Sequence, residues 1–134
     1  MRSICLPFVS ILLLATAGCG GAGAPATSLE VTMTEFAFAP TALVVPPGEE
    51  ITLTLANAGA IEHEFAIMQL GITAVLPYDE DDLAGTYWQV RVPAGQTQTF
   101  TFTAPAEPGS YQVICGLPGH AESGMLGTLL VQAP

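Results

Sequence analysis

The sequence predicts an all-β protein, a Greek-key β-sandwich of seven or eight strands. Three observations carry this. Apolar and polar residues alternate with a period of two along a series of short segments. Turn signals rich in Pro and Gly separate those segments. No stretch sustains a helical period. A length of 134 residues bounds the chain at one domain, and a composition that is 50% hydrophobic and 10% charged is that of a folded core.

The elements follow in order. "LEVTMTEFAF" at 29–38 alternates as a first strand, which Pro40 interrupts. "TALVV" at 41–45 is the second, and "PPG" at 46–48 turns the chain. "EITLTLAN" at 50–57 sets Ile51, Leu53 and Leu55 on one face and Thr52 and Thr54 on the other. After the "AGA" bend, "IEHEFAI" at 61–67 places Ile61, His63, Phe65 and Ile67 towards the core, with Glu62 and Glu64 opposite. Residues 70–85 break the pattern and read as a long loop with a short helical turn. "TYWQVRV" at 86–92, "TQTFTFTA" at 97–104, "SYQVIC" at 110–115 and "MLGTLLVQ" at 125–132 complete the set. Phe100 and Phe102 share one side of their strand.

The start of the chain reads as processing, not structure. Arg2 precedes an apolar run from Ile4 to Ala17, too short to span a bilayer well. Residues 1–18 are therefore expected to be an export signal. Cleavage after "ATA" at 15–17 is one ending. The other, favoured here, is lipoprotein processing at "ATAGC", which leaves a lipidated Cys19 on a flexible tether over 19–28. The folded domain is expected over 29–134. The protein is then exported, to the periplasm or the outer membrane face, and anchored by its lipid.

Loss of the signal leaves Arg91 as the one Lys or Arg against twelve acidic residues. Such a polyanion has no field with which to hold nucleic acid. It attracts basic-faced protein partners instead. "DEDD" at 79–82 reads either as a solvated loop or as a docking patch.

Cysteine usage sharpens the question of function. Cys5 leaves with the signal and Cys19 is at the anchor or in the tether, so Cys115 has no partner within the domain. A lone thiol in an oxidising compartment calls for deep burial or a metal bond. It opens "CGLPGHAESGM", where Cys115, His120 and Met125 are evenly spaced. Each of these alone has a plainer reading: a buried small hydrophobe, a loop residue, core packing. His63 alone would be an ordinary core histidine. Together they supply two imidazoles, one thiolate and one thioether, the donor set of an electron-transfer copper site. Gly116, Pro118, Gly119 and Gly124 let the loop wrap, and Leu117 and Pro118 offer an apolar rim around His120.

"YQVICGLPGHAESGMLGTLLV" at 111–131 and "NAGAIEHEF" at 57–65 resemble the cupredoxins, the blue (type 1) copper family of plastocyanin, azurin and auracyanin. The resemblance covers the chain from about Leu29 to its end. It implies His63, Cys115 and His120 as strong ligands of one copper ion and Met125 as the axial one. It also implies blue colour and one-electron shuttling between Cu(I) and Cu(II). Plastocyanin and azurin carry an asparagine directly after the first histidine, where this chain has Glu64. An ionised carboxylate cannot donate as an amide does, so the surroundings of the sulfur must differ.

The expected function is electron transfer by a monomer between a redox protein donor and acceptor, with no enzymatic activity. Four protein ligands leave no open position for substrate, and no Ser-His-Asp or paired-carboxylate set appears. The rival reading is copper delivery or storage, which favours a more open, methionine-rich site. A disulfide-exchange enzyme is excluded by the lack of a second thiol in the domain.

Overall fold

The computed structural model describes residues 23–134. The expected signal at 1–18, Cys5 and the lipidation site Cys19 lie outside the described residues. The strands are β1 (Ser28–Thr34), β2 (Ala37–Ala39), β3 (Ala42–Val45), β4 (Glu50–Asn57), β5 (His63–Met68), β6 (Thr86–Val92), β7 (Thr97–Thr103), β8 (Gly109–Ile114) and β9 (Leu126–Val131). They form two sheets, one ordered β2-β1-β4-β7 and the other β3-β9-β8-β5-β6. Most neighbours are antiparallel. The pairs β1–β4 and β3–β9 are parallel, because the chain crosses between the sheets before returning. This is the expected all-β sandwich.

One expected strand is two. The segment 29–38 folds back at Glu35–Phe36, so that Thr34 pairs with Ala37 and Met33 with Phe38. Phe36, the second residue of the turn, has a φ of 63°, the left-handed conformation that a type II turn places there. Alternation holds on each side of the fold-back but slips by one residue across it, from Val31 and Met33 to Phe36 and Phe38. A smaller difference lies at β5. The strand begins at His63, and Ile61, expected on the core face, is 43% exposed.

The inner faces of the sheets interlock. Val31, Met33, Ile51, Leu53, Leu55 and Phe102 come from one sheet; Leu43, Val45, Phe65, Ile67, Val92, Tyr111, Val113, Leu129 and Val131 come from the other. Each fully buried side chain of this size contributes about 1.5–3 kcal/mol. Phe102 is buried and stacks on Trp88 at 4.7 Å between ring centroids, while Phe100 is half-buried at the same margin.

The segment between β5 and β6 does more than connect. It contains the expected helical turn, a 3₁₀ helix over Glu80–Gly85. Ala74 and Tyr78 pack with Ala66, Met68 and Ile114 into a second apolar cluster, on the outer face of the five-stranded sheet. This cover buries β5 on both faces, so all of its residues from His63 to Met68 are inaccessible.

Candidate metal centre

Two neighbouring strands bring the site together. β5 and β8 pair antiparallel, with Ala66 opposite Ile114 and Ile67 opposite Val113. The start of β5 therefore lies beside the end of β8, which puts His63 next to Cys115. The loop from Cys115 to Met125 is closed at its mouth, where the Cys115 N–H donates to Met125 O at 3.1 Å. Inside it, His120 N donates to Leu117 O at 3.1 Å and Met125 N to His120 O at 3.0 Å. Gly119 and Gly124 have φ of 83° and 100°, which a residue with a Cβ rarely adopts. These bends turn His120 inward.

The result is a buried cluster of three donors. His63 Nδ1 lies 3.3 Å from His120 Nδ1, and Cys115 Sγ lies 3.2 Å from the same His120 nitrogen. One donor atom from each of His63, Cys115 and His120 falls within 4.8 Å of the others. His63 and Cys115 are inaccessible, while His120 keeps 8% of its surface. Met125 is fully buried at the exit of the loop, within the main core.

The environment suits a soft or borderline cation. Burial pushes the Cys115 thiol above its ordinary range, opposed by the Glu64 and Leu117 N–H groups. The Glu64 N–H reaches Sγ at 3.3 Å. Burial also holds His63 below the usual imidazole range, helped by the charge of His120 and opposed by that of Glu35. Among the described residues, His63 Nε2 is the buried side-chain nitrogen or oxygen with no hydrogen-bond partner. A cation accepted by Nδ1 would fix the proton on Nε2. Two imidazoles and a thiolate facing one point are a donor set that copper accepts in both oxidation states.

Several contributors escaped sequence reasoning. Asn57 is buried and organises the turn leading to His63. Its Nδ2 donates to Ile61 O and Val92 O at 2.8 and 2.9 Å, and its Oδ1 accepts from Gly59 N at 2.9 Å. An asparagine before "AGA" was the available signal. Glu35, in the β1–β2 turn, accepts the Ala60 N–H at 2.5 Å, which holds its carboxyl below the ordinary range. Phe36 sets its ring edge-on to His120, with centroids 5.3 Å apart. The apolar neighbour shown at the His120 ring is therefore Phe36, which is 40% exposed, where the sequence pointed to Leu117 and Pro118. Glu62 and Glu64 point away from the cluster as alternation requires, yet Glu64 is buried beneath the 69–85 segment.

Comparison with known proteins agrees with this geometry. Residues 25–132 match the family of copper binding proteins described as plastocyanin/azurin. A copper-resistant cuproprotein, CopI of Rubrivivax gelatinosus, is 31% identical over 121 residues, covering 84% of this chain and 71% of that protein. Auracyanin-B of Chloroflexus aurantiacus is 30% identical over 125 residues, covering 80% of this chain and 53% of that protein. The chain thus spans about half the length of that relative. The solved auracyanin of Roseiflexus castenholzii superposes with a TM-score of 0.65 at 27% identity, covering 81% of this chain and 99% of that one. The buried His/Cys/His cluster is consistent with one copper ion per chain. On fold, sequence and donor set together, the chain belongs to the plastocyanin/azurin family of copper binding proteins, the cupredoxins.

Proposed function

We propose that the protein is a one-electron carrier in which His63, Cys115 and His120 would hold one copper ion, with the Met125 thioether as a weak further donor. The observation that carries the reading is the convergence of two imidazole nitrogens and a thiol sulfur in a buried cluster with a single ring, His120, at its surface. When bound, copper supplies the change of one electron between its two oxidation states. The chain's own residues do the rest. Sheet pairing fixes His63 and Cys115, and the hydrogen-bonded loop fixes His120. Burial excludes water and small oxidants. The edge of His120, beside the Phe36 ring, is the short route to a partner.

The export signal at 1–18 and lipidation at Cys19 belong to the same reading: a monomeric carrier held near a membrane in the periplasm or on the outer face. Its partners are a redox donor and an acceptor with basic faces. Arg91 is the one Lys or Arg beyond Arg2, against twelve acidic residues, which supports this charge preference. Association should slow as salt rises.

A second reading, copper handling, draws support from the likeness to a copper-resistant cuproprotein. Titration with Cu(II), followed by reduction with ascorbate and reoxidation, separates the two. A carrier develops an intense visible charge-transfer band that disappears and returns while the metal stays bound. A delivery protein loses the metal to a chelator on reduction. Cys115→Ser should abolish the band; if the colour survives, the sulfur is wrongly assigned. A colourless parent domain overturns the carrier reading altogether.

A further inference from the structure

Glu64 occupies a costly position. Its residue surface is 1% exposed, and a carboxylate withdrawn from water is strongly disfavoured unless it is paired. The partner is Arg91, directly opposite in the β5–β6 register, whose Nε donates to Glu64 Oε1 at 2.9 Å. Arg91 also lies 3.8 Å from Glu62, at the solvent edge. In a chain with twelve acidic residues and no other Lys or Arg beyond Arg2, the available cation is placed on this carboxylate.

The pair borders the metal cluster on two sides. The Glu64 backbone N–H donates to Cys115 Sγ at 3.3 Å. The other carboxylate oxygen, Oε2, abuts Gly116 so closely that a Cβ there would collide with it and with the Tyr78 ring. Gly116, Tyr78, Glu64 and Arg91 together line a cavity of about 380 Å³ beside the ligand loop.

We propose that Glu64 and Arg91 form a charge-compensated positioning pair that clamps the Cys115–Gly116 end of the ligand loop and keeps either charge alone from shifting the reduction potential of the copper site. This rests on the copper reading above. The two oxidation states of the ion differ by one positive charge. A nearby negative charge therefore favours the oxidised state, and a nearby positive charge favours the reduced one. Paired, the two nearly cancel. Either one alone would shift the potential, in opposite directions.

The test is a charge cycle on the copper-loaded protein at neutral pH. Glu64→Gln removes the carboxylate nearest the sulfur and leaves Arg91 only the solvent-edge Glu62, and should shift the potential upwards. Arg91→Gln leaves Glu64 uncompensated and should shift it downwards. The double variant should return close to the parent. Arg91→Lys keeps the charge but loses the planar fork, and should shift the potential less than Arg91→Gln. A merely structural role would move both single variants in the same direction or neither, and either result overturns the proposal.

A second measurement needs no copper. In the metal-free protein, the Cys115 and Gly116 amides should exchange about tenfold faster in Glu64→Gln and Arg91→Gln, the equivalent of one charge-assisted hydrogen bond. Unchanged exchange refutes the clamp even if a variant loads no metal. Failure of the parent to bind copper would instead overturn the function proposed above, and amide exchange would still decide the clamp.

Discussion

Replacing Asn57 by alanine tests how the turn ahead of His63 is held. Asn57 is 2% exposed and its side chain makes three hydrogen bonds: to Ile61 O, to Val92 O and from Gly59 N. Each is worth about 1 kcal/mol net. Water can reach Ile61 in the variant, because that residue is 43% exposed, so its carbonyl recovers part of the loss. Val92 is inaccessible, so its carbonyl cannot turn to water in the same way. The expected cost is about 2–3 kcal/mol. For a domain of this size that lowers Tm by roughly 8–12 °C. Urea unfolding of the copper-free protein is the assay, since metal binding would mask the difference. Asn57→Asp sharpens it. The aspartate still accepts from Gly59 N, but its second oxygen faces two carbonyls, so it should be no more stable than the alanine variant. A loss below about 1 kcal/mol for alanine, or an aspartate variant as stable as the parent, would refute the assignment.

Other outcomes can be checked independently. Burial and the charge of His120 depress the His63 pKa. Its contribution to stability is therefore present above the unfolded value of about 6.5 and is lost as pH falls through the lower folded value. The metal-free protein should weaken on acidification below about pH 6.5, and His63→Gln should flatten that slope; equal slopes would exclude His63 as a source. Gly59→Ala would place a Cβ 2.6 Å from Glu35 Oε1 and 2.9 Å from His63 Nε2. Copper affinity should fall there and stay unchanged in Gly23→Ala, where nothing lies within 4 Å; equal affinities would show that Glu35 and His63 give way freely. The core is built without the metal, so the metal-free protein should remain folded, and copper at 100 times its Kd should add about 2.7 kcal/mol. A disordered amide spectrum for the metal-free form would contradict that.

Local pattern and long-range arrangement contributed differently. Alternation of apolar and polar residues located the strands from β3 to β9 within a residue or two, because a period of two is a property of neighbours. The lone Cys115, the spacing to His120 and Met125, and the bends at Gly119 and Gly124 all lie in one stretch, so the ligand loop was legible. The hairpin at Phe36 was not read, although its trace is a one-residue slip of the period, from Val31 and Met33 to Phe36 and Phe38. Nor was the burial of Glu64, which reads as a surface glutamate until Tyr78 and its neighbours in the 69–85 segment lie beside it. The pairing of Glu64 with Arg91, and the approach of His63 to within 3.3 Å of a histidine 57 residues away, depend on which strands become neighbours. The sequence by itself determined the strands and the chemistry of the loop. Only the tertiary structure decided what stands beside them, because register and sheet order arise from the packing of the whole core.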